Sequence, residues 1–121
     1  VGDLPDRMTL REYAQLVKKS LKLKDVKVYG NLDSEVDRAA VCTGSGKSMI
    51  QDAIAAGAEV YVTGDIDYHT AIDTMADGLA IVDAGHYGTE YIFMDAVKKE
   101  LNQAFPELTV SCAVKNPYTV L

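Results

Sequence analysis

Apolar residues at Leu10, Tyr13, Ala14, Leu16, Val17 and Leu21 recur with the spacing of one helical face, and polar residues fill the gaps between them. Thr9 precedes this stretch and Glu12 follows three residues on, the reciprocal pairing that caps a helix start. Lysines at 18, 19, 22 and 24 complement the helix end. Further along, short apolar runs predict strands at Val26 to Tyr29, Asp37 to Cys42, Glu59 to Val62 and Leu79 to Val82. Helical spacing predicts helices from Met49 to Ala56, stopped by Gly57, and from Asp67 to Ala76, ended by Gly78. The longest predicted helix runs from Thr89 to Asn102, with Ile92, Phe93, Val97 and Leu101 on its inner stripe. Pro106 stops it, and Leu108 to Cys112 reads as a final strand.

The predicted order, α-β-β-α-β-α-β-α-β, makes a layered α/β domain over residues 1–121: a sheet of five strands with helices on its faces. From Asp37 onward the strands alternate with helices, so right-handed crossovers should link them. The nearly all-apolar run Leu79 to Val82 suits a strand covered on both sides. Ligands in such sheets gather at the carboxyl ends of the strands. Three of these ends pair glycine with polar side chains: Thr43-Gly44-Ser45-Gly46, Thr63-Gly64-Asp65 and Asp83-Ala84-Gly85-His86. The recurrence is more informative than any one of them.

Composition narrows the function classes. Lys and Arg number 12 against 18 Asp and Glu, for a formal charge of −6. The imbalance is local: between Ser48 and Val97 there is no Lys or Arg, while nine carboxylates fall in that span. Such a surface is a poor match for a phosphate backbone, so nucleic-acid binding is not expected, and it suits cations better. No apolar run approaches the roughly 18 to 20 residues of a membrane span. Cys42 and Cys112 both lie in apolar runs and read as buried thiols rather than a disulfide framework. Together these features predict a cytoplasmic protein.

The candidate chemistry sits at the three strand ends. Gly44-Ser45-Gly46-Lys47-Ser48 carries only the tail of a phosphate-binding loop, because Val41 occupies the position where that motif needs glycine. What remains is either a small anion-accepting nest or a tight strand-to-helix turn. Asp65 and His69 are four residues apart and share a face if the helix starts early; they bind metal or handle protons, or Asp65 caps the helix. His86 and Glu90 have the same spacing, follow a buried strand and are flanked by Gly85 and Gly88. Imidazole with carboxylate suits zinc, iron, manganese or cobalt better than calcium. Asp83 is either a third ligand or the acceptor that fixes a histidine tautomer. Tyr87 and Tyr91 either stack on a planar ligand or pack at the core. Two ligands do not complete a catalytic centre, so further donors must come from the neighbouring carboxylates or from other polypeptide.

The runs Val41-Cys42-Thr43-Gly44-Ser45-Gly46, Tyr61-Val62-Thr63-Gly64-Asp65-Ile66-Asp67-Tyr68-His69 and Asp83-Ala84-Gly85-His86-Tyr87-Gly88-Thr89-Glu90 resemble the C-terminal half of the GTP cyclohydrolase 1 type 2 homologue family, the Nif-three-like proteins. The opening Val1-Gly2-Asp3-Leu4-Pro5 and the closing Asn116-Pro117 resemble the limits of that half. The resemblance implies two related α/β halves assembled into a hexamer, with a pair of divalent metals between the halves. His86 and Glu90 match the metal ligands of the C-terminal half, and Asp65 and His69 match the polar wall beside them. The remaining ligands, a histidine pair and an aspartate, belong to the N-terminal half, which this chain does not contain. The implied activity is metal-dependent hydrolase or cyclohydrolase chemistry on a purine nucleotide, and the chain alone should be inactive. A non-catalytic interaction or scaffold module is the alternative.

Overall fold

The computed structural model describes residues 1–119. Its strands are β1 (Gly2–Thr9), β2 (Lys27–Tyr29), β3 (Glu35–Ser45), β4 (Val60–Gly64) and β5 (Ala80–Asp83). Its helices are α1 (Leu10–Ser20), α2 (Ile50–Ala55), α3 (Tyr68–Ala76), α4 (His86–Glu90) and α5 (Ile92–Ala104). The five strands form one mixed sheet in the order β1-β3-β4-β5-β2. β3, β4 and β5 are parallel, as strands joined by helical crossovers must be. β1 and β2 close the two edges in antiparallel pairing with β3 and β5. Among the described residues, no helix is long and apolar enough to cross a membrane.

Strand alternation divides the core between the two faces of the sheet. On one face Val60, Val62 and Val82 pack with Leu10, Tyr13 and Val17 of α1. On the other, Tyr61 and Ile81 pack with Ile50 and Ala53 of α2 and Ala71 of α3. Every residue of β4 is buried, which is why its sequence runs apolar without alternation. Leu10, Val60, Ile81 and Val82 are wholly shielded from solvent. Each such side chain stabilises the fold by about 1.5–3 kcal/mol. The capping box at Thr9 and Glu12 forms as predicted, with both reciprocal hydrogen bonds present.

Four expectations need correction. The opening residues form strand β1, which the pattern did not predict because Gly2 and Pro5 interrupt it; the pairing register shifts between Asp3 and Met8, as an edge strand with a proline allows. Leu108 to Cys112 forms no strand: those residues are irregular, Leu108 is half exposed, and among the described residues they pair with neither edge of the sheet. The long helix begins at His86 and is broken at Tyr91 into α4 and α5. No residue of α5 is buried: Ile92, Phe93 and Leu101 of the expected inner stripe face solvent. Neither thiol is in the core, since Cys42 is only half-buried and Cys112 is exposed; both are free.

Candidate metal half-site

The carboxyl ends of the three parallel strands converge on one place, and Asp83 at the end of β5 ties them together. Its side chain is 2% exposed. One carboxylate oxygen accepts from the backbone N–H groups of Asp65 at 3.1 Å and Gly85 at 2.9 Å, and the other from Ile66 at 3.4 Å. Lys27 Nζ lies 3.7 Å away. The loops after β4 and β5 are thereby pinned to a single buried charge. Asp83 thus spends its oxygens on backbone N–H groups and Lys27, and among the described residues it makes no hydrogen bond to a histidine ring.

Glycine is required where these loops meet. A side chain at Gly64 would begin 2.5 Å from the backbone nitrogen of His86, so only the bare backbone of β4 lets the first turn of α4 approach. The loop after β3 is held by two buried threonines. Thr89 Oγ1 accepts from the Gly44 N–H at 2.8 Å, and Thr63 Oγ1 accepts from the Gly46 N–H at 2.9 Å. With the Gly44 and Gly46 N–H groups engaged, and Lys47 paired to Asp67 at 2.8 Å, the hydrogen bonding of this loop favours the tight strand-to-helix turn over the anion nest.

This framework presents His86 between two carboxylates. Nδ1 lies 3.2 Å from Asp65 Oδ2, and Nε2 lies 3.2 Å from Glu90 Oε2, one helical turn along α4. All three side chains are about half exposed. Gly44 lies against the pair: a Cβ there would stand 2.5 Å from Glu90 Oε1 and 3.1 Å from His86 Nε2. The cluster borders a cavity of about 700 Å³ whose apolar wall includes Tyr91, Phe93 and Met94, with the terminal segment closing it through Val114, Lys115 and Tyr118. Tyr87 and Tyr91 stack on each other with ring centroids 5.4 Å apart, and Tyr91 donates to the Leu21 carbonyl at 2.6 Å.

The structure thus brings Asp65, His86 and Glu90 together and leaves His69 outside. Asp67, not Asp65, caps α3, accepting from the Thr70 N–H at 3.0 Å. Lys47 and the Thr70 hydrogen bonds hold the Asp67 carboxyl well below its ordinary range. Asp65 precedes the helix with a left-handed backbone (φ 57°), so the expected Asp65–His69 pairing along one helix face does not form. His69 instead stands edge-on to Tyr68, 5.6 Å between ring centroids, and does not line the cavity. The resemblance placed Asp65 beside His86 and Glu90, but its direct contact with His86 Nδ1, between residues far apart in the chain, has no local motif behind it. Among the described residues, no three His, Cys, Asp or Glu side chains converge where one ion would sit. The imidazole lies between the carboxylates, and the two remaining donors toward a cation are its Nε2 and Glu90.

Comparison with known proteins places this geometry in a family. The chain is 40% identical over 127 aligned residues to a Bacillus subtilis protein named GTP cyclohydrolase 1 type 2 homolog, covering all of this chain and 34% of that protein. It is 43% identical over 99 residues to the Streptococcus pneumoniae protein of the same name, covering 78% of this chain and 37% of the other. The crystal structure of a Bacillus cereus protein related to NIF3 superposes with a TM-score of 0.89 at 40% identity, over 99% of this chain and 35% of that one. A Staphylococcus aureus hypothetical protein superposes at 0.86 with 28% identity, over 98% of this chain and 41% of the other. The chain spans about a third of the length of the curated relatives it matches. The model of the Duf34/NIF3 (NGG1p interacting factor 3) family matches residues 1–117, and the chain belongs to that family.

Proposed function

We propose that this chain is the metal-binding half of a divalent-metal-dependent hydrolase, with His86 and Glu90 as its ligands and the remaining ligands supplied by polypeptide outside it. The observation that carries the proposal is the pairing of His86 Nε2 with Glu90 Oε2 at 3.2 Å on one turn of α4, at the mouth of a cavity. The donor set fits the group: imidazole and carboxylate oxygen are the ligands that zinc, iron, manganese and cobalt accept, and both are half exposed. A bound metal would act as a Lewis acid and lower the pKa of a coordinated water. The chain's own residues orient the ligands: Gly44 leaves them room, and Thr89 anchors the α4 turn that carries both.

Two donors fall short of the roughly three that a catalytic site needs, so the chain alone is expected to be inactive. The apolar residues Ile92 and Phe93, exposed beside Glu90, fit a surface covered by further polypeptide. The name carried by the relatives, GTP cyclohydrolase 1 type 2 homolog, points to a purine nucleotide as the substrate class; the assembly proposed for the intact protein is a homo-oligomer. Of the two side chains proposed to handle protons, Asp65 lines the cavity and His69 does not, which favours Asp65 for that role.

Metal analysis of the intact protein tests the proposal. About two ions per subunit are expected, the count a bridged two-metal site requires. Substituting His86→Ala and Glu90→Ala together should remove most of them. Full occupancy retained in that double variant would overturn the assignment.

A further inference from the structure

Taking His86 and Glu90 as metal ligands, as proposed above, we infer that Asp65 is a positioning residue: its carboxylate holds Nδ1 of His86 so that Nε2 is presented to Glu90 and the ion. Three observations carry this. The Asp65 carboxylate reaches Nδ1 at 3.2 Å, on the opposite side of the ring from Glu90. Nε2 faces the Glu90 carboxylate at the same 3.2 Å, so in the metal-free protein the two acceptors compete for the ring proton; with Glu90 turned to an ion, Asp65 would be the acceptor that keeps the proton on Nδ1 and leaves Nε2 for coordination, the arrangement by which a neighbouring acceptor fixes a ligating histidine. Asp65 also adopts a left-handed backbone conformation, one that aspartate visits several-fold more often than most non-glycine residues. Such a conformation persists only where the surroundings enforce it.

What enforces it is Asp83. Its buried carboxylate accepts from the Asp65 N–H and, two residues away along its own strand end, from the Gly85 N–H. One group thus sets the position of the Asp65 loop and of the turn that carries His86. The distance between the Asp65 carboxylate and Nδ1 is in this way built into the fold rather than left to two mobile surface side chains.

The test uses the intact protein with Asp65→Gly, which keeps the backbone conformation and deletes the carboxylate, and Asp65→Asn, which keeps an acceptor oxygen and tolerates the left-handed region. Zinc affinity is measured by chelator competition, and the protonation of the His86 ring nitrogens by nitrogen-15 NMR of the metal-free protein at pH about 8.5, above the ordinary imidazole range near 6.5. Asp65→Gly should lower zinc affinity about 10- to 100-fold and reduce the share of the ring carrying its proton on Nδ1, while Asp65→Asn restores part of both. A loop-shaping role for Asp65 predicts instead that glycine is the best replacement. Wild-type zinc affinity in Asp65→Gly, or unchanged ring signals, would overturn the inference. If the wild-type protein binds no metal, the function proposed above fails, and the ring signals alone decide the role of Asp65.

Discussion

Gly44 is where one added methyl group separates the stability of this fold from its candidate site. Its backbone is left-handed (φ 64°), so Gly44→Ala costs about 1–2 kcal/mol wherever it is placed in such a turn. The new Cβ would also lie 2.5 Å from Glu90 Oε1 and 3.1 Å from His86 Nε2, closer than atoms pack. The end of a glutamate side chain is flexible, so the contact is relieved by swinging the carboxylate away from the imidazole rather than by unfolding. The stability loss should therefore stay near the backbone cost, while metal affinity falls by at least about 10- to 100-fold, the loss already seen when only a residue orienting a ligand is disturbed. Gly57→Ala provides the control: its backbone is similar (φ 75°), but its Cβ would meet only Arg38, at an ordinary 3.9 Å. Urea denaturation and chelator competition on both variants of the intact protein give the two readouts. Wild-type metal affinity in Gly44→Ala, or an equal loss in Gly57→Ala, would refute the reasoning.

Two further outcomes follow from the hydrogen bonding. Asp83→Ala leaves three backbone N–H groups without their acceptor and should destabilise the protein by about 3 kcal/mol or more in urea titration, with Asp83→Asn intermediate because its amide oxygen still accepts; a loss below about 1 kcal/mol would contradict the pinning role. Asp67 has its carboxyl held below the ordinary range by Lys47 and Thr70, so its contribution is present above the unfolded value near 3.9 and is lost as pH falls toward the lower folded value. The melting-temperature gap between wild type and Asp67→Ala should then be constant from pH 7 to about 5 and narrow below about 4, whereas a gap that stays constant to pH 2 would contradict it.

The parts legible in the sequence were those whose physical cause is local. The Thr9–Glu12 cap, the apolar face of α1 and the parallel strands β3, β4 and β5 follow from spacing and burial pattern alone. The three glycine-bearing strand ends also marked where the site lies, because parallel strands bring their carboxyl ends to one side. Local pattern failed where the deciding partner is distant in the chain or where no described residue covers the face. β1 is a strand only because β3 offers an edge for it, and Leu108 to Cys112 is not one because no such edge receives it. The stripe on α5 is truly amphipathic, yet periodicity records what a face can bury, not whether this polypeptide covers it. Within the site, the spacing of His86 and Glu90 was readable because one helical turn joins them. The link from Asp65 to His86 depends on Asp83 holding two loops together, and no local motif encodes that.

Anomalous diffraction from crystals of the intact protein, collected at the absorption edge of the metal it contains, tests the central claim most directly. The account predicts an anomalous peak about 2.0–2.2 Å from both His86 Nε2 and a Glu90 carboxylate oxygen, with Asp65 still on Nδ1. A metal bound elsewhere, with His86 and Glu90 still in direct contact with each other, would contradict it.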